Sequence, residues 1–184
     1  MDKTVPDSTN SSLRHLTQQF RQSGQLEAIY LRPARGVDCI SAQHAHAIAQ
    51  KGLVGDISSK TPSRNPLGSN RQVTLIQAEH ISVIGAFIGA QVNAAKLRRN
   101  LVVSGINLLA AKSLFKDQLM QIMIGDVILQ ITGPCEPCSK METTLGKGGF
   151  NAMRGHGGMN AKIIKSGILK IGDSVACVTM PNEE

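Results

Sequence analysis

The chain has 184 residues, enough for one domain to bury a core without disulfide support. Its four cysteines are too sparse for the framework of a small secreted protein, so they are read as chemistry and no bridge is implied. A net charge of +7 and a pI near 9.5 point to an anionic partner, but an aromatic content of 3%, with one Tyr and no Trp, leaves no stacking platform and argues against nucleic acid.

In chain order, MDKTVPDSTNSSLRHLTQQFRQSG offers no apolar run for a signal-peptide core, and nowhere does the chain hold about 18 consecutive apolar residues. A soluble cytoplasmic protein with reduced thiols and no membrane partner is expected. Residues 1–25 read as an N-terminal arm, ahead of a single domain over 26–184. Within the arm Ser11 or Ser12 is expected to cap a short helix carrying Leu13, Leu16 and Phe20 on one face, with Gly24 as its stop. Such a helix either docks a partner or packs on its own domain.

From Leu26 the pattern changes to short apolar runs with turn signals. LEAIYLRP, a turn at ARG, and VDCIS predict a hairpin, while QKGLVGD predicts a tight turn ending at Asp56. A polar Ser/Pro/Asn/Gly loop follows up to Arg71. RQVTLIQ is a strand, AEHISVIGAFIG a helix with Ile81, Ile84 and Ile88 in step, and LRRNLVVSG a strand over Leu101 to Val103, with a short helix expected over Leu108 to Ser113. LMQIMIGDVILQITG predicts two strands about Gly125-Asp126, and MNAKIIKSG and DSVACVTM two more about Gly172. Several short strands and few long helices predict a mainly β fold, a barrel or sandwich with helices inserted in its loops.

The segment GPCEPCSKM, Gly133 to Met141, carries the sharpest question. A thioredoxin-like dithiol would stand early, in a βαβ unit, whereas this pair follows a strand hairpin and contains a Pro. A structural zinc site would need a second pair or two histidines, and downstream of Cys138 only His156 remains. One working thiolate is the third reading. Ser139 and Glu142 match the capping box S-x-x-E, which predicts a helix starting just after Cys138 and places that thiol near positive backbone charge and Lys140.

GKGGFNAMRGHGGMNAK brings six glycines between Gly146 and Gly158, interleaved with Lys147, Arg154 and His156. That composition can nest an anion, or serve as ordinary turns between strands, and it matches no Walker loop. Arg98 and Arg99 can grip phosphate in a bidentate fork, Asn100 can read ring heteroatoms, and Arg71 adds a positive group at the start of a strand.

In order, LEAIYLRPARG, KGLVGD, RQVTLIQAEH, LRRNLVVSGINL, IGDVILQITGPCEPCSKM and GHGGMNAKIIKSGILKIGDSV resemble the successive motifs of the MOSC domain, the C-terminal domain of molybdenum cofactor sulfurase. The resemblance spans Leu26 to Val178. It implies a β-barrel like the one inserted in pyruvate kinase, a cleft for the molybdopterin-type molybdenum cofactor, and one functional cysteine in a P-C-x-[KR] segment, here Pro137, Cys138 and Lys140. Cys138 would then be both the catalytic residue and the metal ligand, a soft thiolate suited to a heavy metal. Arg71, Arg98, Arg99, Asn100, Lys140, Arg154, His156, Gly157 and Asn160 are the residues it implies for holding the cofactor. Two departures stand out. Ile57 follows Asp56 where the family often has Arg or His, and, with no segment here resembling the pyridoxal-phosphate domain of cofactor sulfurase and no lysine arguable as a Schiff-base lysine, this chain is not expected to generate a persulfide from free cysteine itself.

The resemblance implies two kinds of function. One is a reductase of N-hydroxylated small molecules; having no flavin, NAD or iron–sulfur motif, it would need a separate redox partner. The other is a sulfur carrier, supplied by a donor protein, that holds a persulfide on Cys138 for cofactor assembly, with Cys135 able to release it as a disulfide.

Overall fold

The computed structural model describes residues 13–60, 63, 65, 66 and 68–180. The proposed caps Ser11 and Ser12 lie outside them. The elements in chain order are α1 (Leu13–Leu16), β1 (Gly24–Leu31), β2 (Ile40–Ala42), β3 (His44–Ile48), β4 (Gly52–Leu53), α2 (Ile57–Lys60), β5 (Val73–Gln77), α3 (Ala78–Ile88), a 3-10 turn (Ala94–Leu97), β6 (Leu101–Ser104), β7 (Leu119–Ile124), β8 (Val127–Pro134), α4 (Lys140–Leu145), α5 (Gly149–Met153), β9 (Met159–Lys165), β10 (Gly167–Lys170) and β11 (Ser174–Met180).

The main sheet runs β11-β7-β8-β9-β5-β6-β1-β2, and β1 also pairs with β11, so seven strands close into a barrel and β2 hangs from its edge as the second arm of the predicted hairpin. Closure leaves those seven strands without free edges. β5 and β6 pair in parallel, with Leu75 opposite Leu101, because α3 makes the crossover between them, and the other pairs are antiparallel. A small sheet, β10-β3-β4, contributes Ala45, Ala47, Leu53 and Leu169 to the barrel core.

All five residues of β5 are buried, and the period of two explains why. Val73 and Leu75 face the barrel interior with Leu26, Leu101, Val103, Ile122 and Leu129. Ile76, with Val102 of β6, faces outward into a second cluster formed by Ile84 of α3, Met141 of α4 and Met153 of α5. α3, α4 and α5 therefore share one outer face, where they cover the parallel pair. None of the helices described is long and apolar enough to cross a membrane.

Three local expectations differ from the structure. Leu108 to Ser113 forms turns, with Asn107 Oδ1 accepting from the Leu109 and Ala110 amides in place of a helical ladder. Gly24 opens β1 instead of ending a helix, and α1 stops at Leu16. The arm packs on the domain: Gln118 Nε2 donates to the Arg14 carbonyl at 2.8 Å, and Arg14 pairs with Asp117 at 3.0 Å while lying over the Phe115 ring. The capping box does not form either. Ser139 makes no side-chain cap, and Glu142 reaches forward to accept from the amides of Gly148 and Phe150 at 2.7 and 3.0 Å, tying α4 to the start of α5.

Candidate functional site

β8 ends at Pro134 opposite Met159, where β9 begins, so the cysteine segment and the Gly155–Gly158 loop leave the barrel at the same rim. β5 pairs Leu75 with Met159 on one side and Leu101 on the other; Asn100, just ahead of β6, therefore lies beside Thr74, and the Arg99 side chain reaches back to the Gly157 and Cys135 carbonyls. β1 pairs Ile29 with Leu101 and delivers Arg32 beside them. Strand register thus gathers groups far apart in the chain.

Asp56 anchors the residues that follow β1 and precede β6. Its carboxylate, wholly buried, accepts from the Arg32 amide, Nε and Nη2, from the Ser58 amide and hydroxyl, and from Asn100 Nδ2, all between 2.7 and 2.9 Å. Burial by itself would raise the Asp56 pKa, but the Arg32 and Ser58 hydrogen bonds outweigh it and hold the group well below the carboxylate range. Asn100 is also wholly buried; its Oδ1 accepts from the Thr74 amide and hydroxyl and from Arg32, and its Nδ2 donates to the Tyr30 carbonyl as well as to Asp56. The Asn100 amide is thereby committed to the fold, and its effect is to hold Arg32 and Asp56 in place.

Arg99 plays the corresponding part on the other side. It is buried, and its guanidinium donates to three carbonyls: Gly157 through Nε at 2.5 Å, Leu97 through Nη1 at 3.1 Å and Cys135 through Nη2 at 2.9 Å. Asn160 Nδ2 holds the Pro134 carbonyl at 2.7 Å, and the Cys135 amide donates to the Gly158 carbonyl at 2.8 Å. The backbone on both sides of Cys135 is pinned. Gly157 permits this approach, since a Cβ there would stand 2.5 Å from the Cys135 carbonyl oxygen.

The two thiols of the segment face different surroundings. Cys138 is exposed, with its carbonyl accepting from the Met141 amide just ahead of α4. Cys135 is half-buried; burial raises its thiol pKa, against the opposing charges of Arg99, Arg71 and Arg32. Cys39 is also half-buried and raised by burial, with Arg98 and Arg32 opposing. All four cysteines are free thiols. Among the described residues, no three His, Cys, Asp or Glu side chains are grouped to hold a metal ion.

Two cavities flank the segment. One, of about 560 Å³, is lined by Lys96, Arg98 and Lys140 together with Asp38, Cys39 and Thr143. Arg98 adopts a left-handed backbone, φ 59°, as it closes the 3-10 turn, and its Nη1 donates to the Val37 carbonyl at 2.7 Å. The second cavity, of about 350 Å³, is lined by Cys135, His80, His156, Leu108, Leu109 and Met159. The His80 and His156 rings meet edge to face with centroids 4.9 Å apart, and both Nδ1 atoms are buried without a hydrogen-bond partner.

The segment thus has Lys140 and Arg98 on the wall of one cavity and His156 and Gly157 on the wall of the other, while Cys138 is exposed and lines neither. Arg71 is exposed and lines neither cavity, although its charge acts on Cys135. Arg154 is exposed, closes α5 through its amide, and also lines neither. Asn160 serves the backbone of Pro134. Sequence reasoning missed Arg32 and His80. Arg32 stands directly after β1, in LRP, and His80 in the first turn of α3, three residues past β5, in QAEH; a charged or titratable residue close behind a strand is the one signal that could have found them.

Comparison with known proteins agrees with this architecture. No curated protein gives a significant match to the sequence. Among solved structures, the YUAD protein from Bacillus subtilis superimposes with a TM-score of 0.69 at 18% identity, covering 86% of this chain and 97% of that one. YiiM from Geobacillus stearothermophilus gives 0.59 at 15% identity, over 85% and 75% of the two chains, and YiiM from Escherichia coli gives 0.58 at 16%, over 85% and 70%. At these identities the likeness establishes the fold. The family model described as the MOSC domain matches residues 62–176, more than half of the chain, which therefore belongs to the MOSC domain family.

Proposed function

We propose that this protein binds the molybdenum cofactor and reduces N-hydroxylated small molecules, with Cys138 as the metal ligand and with electrons supplied by a separate protein. The family is one associated with that cofactor. The observation that carries the reading is an exposed thiol, Cys138, two residues ahead of the lysine that lines a cationic cavity.

The donor set fits the group. A pterin dithiolene carries a terminal phosphate, and Lys96, Arg98 and Lys140 supply cations on one wall of a cavity of about 560 Å³, a size common for small-molecule sites. The Cys138 thiolate is a soft ligand, and its exposure leaves room for an approaching metal. When bound, the cofactor supplies the two-electron chemistry that the chain's own side chains lack. The remaining work belongs to the protein. Arg99 and Asn160 hold the backbone between Pro134 and Cys135, so that the segment carrying Cys138 leaves the barrel in a fixed direction. Arg32, held by Asp56 and Asn100, keeps a positive charge near the thiols without being free to swing away.

The test is elemental analysis for molybdenum and zinc on protein made in a host that synthesises the cofactor, comparing wild type with Cys138→Ala and Cys135→Ala. Molybdenum near one per chain, lost in Cys138→Ala and kept in Cys135→Ala, is the expected result. No molybdenum in any of the three would overturn the reading, and a persulfide mass on Cys138 would replace it with the sulfur carrier.

A further inference from the structure

We propose that His44 and His46, on the outer face of β3, chelate a transition-metal ion of the Cu(II), Ni(II) and Zn(II) class at the surface of the small sheet. Neither histidine lines a cavity beside the cysteine segment, so the site goes beyond the function proposed above and does not rest on it.

The strand sets the pair. In β3, Ala45 and Ala47 are buried in the core, while His44 and His46 alternate with them and are exposed. A strand repeats every two residues, so the two histidines stand on one face with their Cα atoms about 6.6 Å apart. On β10, Lys170 lies opposite His44 and Ile168 opposite His46. From the β4 side the Val54 amide donates to the His46 carbonyl at 2.9 Å. The backbone carrying the pair is thus held from both sides, and only the side chains need to move to meet an ion.

The rings are near chelating distance. An imidazole nitrogen binds these ions at about 2.0–2.1 Å, which puts each ring centroid about 3.2 Å from the metal; two such rings stand about 4.6 Å apart at a right-angled N–metal–N geometry and about 5.3 Å apart at a tetrahedral one. The His44 and His46 centroids are 6.5 Å apart with their planes at 72°. Rotation of two exposed side chains by about 1 Å closes that gap. Among the described residues neither ring is held by a hydrogen bond or an ion pair, which leaves the nitrogens available to a metal.

The donors select the class of ion. Neutral imidazole suits Cu(II), Ni(II) and Zn(II), whereas Mg(II) and Ca(II) prefer oxygen. No third His, Cys, Asp or Glu is grouped with the pair among the described residues, so water completes the coordination and the ion exchanges freely, unlike a structural zinc held by four protein ligands. Ile168 and Val54 flank His46 and supply no competing donor. Lys170 brings an opposing charge, but it is exposed and its long stem lets the ammonium lean into water.

Calorimetric titration of tag-free protein with nickel chloride tests this, with magnesium chloride as the oxygen-preferring ion, on wild type, His44→Gln, His46→Gln and Cys138→Ala. Wild type should take up about one Ni(II) per chain and no Mg(II), either histidine replacement should weaken Ni(II) by at least about tenfold, and Cys138→Ala should bind Ni(II) as wild type does. A second readout needs no variant: in wild type, sub-stoichiometric Cu(II) should broaden the amide resonances of residues 44–46 and 168 before those elsewhere. The proposal is overturned if wild type takes up no Ni(II), if both histidine variants bind it as wild type does, if binding is lost in Cys138→Ala, or if the broadening centres on the cysteine segment.

Discussion

Replacing Asp56 by Ala removes the common acceptor for Arg32, Ser58 and Asn100. Charge-assisted hydrogen bonds at about 1.5–3 kcal/mol each, summed over this network, would rival the whole stability of a domain, about 5–15 kcal/mol, so the contributions cannot add. The relevant figure is the cost of removing one partner of a buried pair, about 3–5 kcal/mol, because Arg32, only 20% exposed, is left with an unneutralised charge. For a chain of this size each kcal/mol moves Tm by about 2–4 °C, which places the expected fall at roughly 6–20 °C. The pH dependence has a definite sign. The folded-state pKa of Asp56 is depressed, so its contribution is complete above the unfolded value near 3.9 and is lost as pH falls below that toward the folded pKa. Urea denaturation of wild type and Asp56→Ala at pH 7, 4 and 3 should show a gap that is widest at pH 7 and narrows on acidification. A gap under about 1 kcal/mol at pH 7, or one of constant size down to pH 3, would refute the assignment of Asp56 as a buried ionised anchor.

Arg99→Lys should loosen the rim, because one ammonium cannot serve the carbonyls of Gly157, Leu97 and Cys135 together; hydrogen exchange at the Cys135 amide should quicken, and unchanged exchange would count against the clamp. Gly158→Ala should be worse for folding than Gly157→Ala, since its Cβ would fall 2.0 Å from the Leu75 carbonyl oxygen on β5 at φ +86°, whereas Gly157 has no left-handed backbone and its Cβ would meet the Cys135 carbonyl at 2.5 Å; thermal denaturation of the two variants checks the order. Alkylation at neutral pH followed by mass spectrometry should label Cys138 first and Cys177 last, because Cys138 is exposed while burial pushes the Cys177 thiol up to about 12. Equal rates at these two thiols would contradict that ordering.

The parts of the fold legible in the sequence are those encoded by neighbours. The β7–β8 hairpin follows from apolar runs on either side of Gly125-Asp126, and α3 from isoleucines in helical step. β3, His44–Ile48, escaped notice because its inward residues are Ala45 and Ala47, too small to mark an apolar alternation, while its histidines face outward. β10 is four residues long and merges with the turn before β11. The S-x-x-E pattern was present but misleading: Glu142 had two amides at the start of α5 to serve, and these took it from its own helix.

At the site the division runs along the same line. Cys138, Lys140 and the glycine-rich loop carry their chemistry in their own residue types and spacing, so they could be singled out before any contact was known. Arg32 and His80 could not. Arg32 meets Asp56 and Asn100 across separations of 24 and 68 residues, and His80 gains meaning only when the β8–β9 register brings His156 and Cys135 against α3. Asn100, expected to read ring atoms, has its amide enclosed by the Thr74 hydroxyl, the Tyr30 carbonyl and the Asp56 carboxylate. Local patterns record which faces of a strand or helix must leave water. Which side chains end up within hydrogen-bonding reach depends on how the barrel closes, and that is set by burial summed over the whole chain.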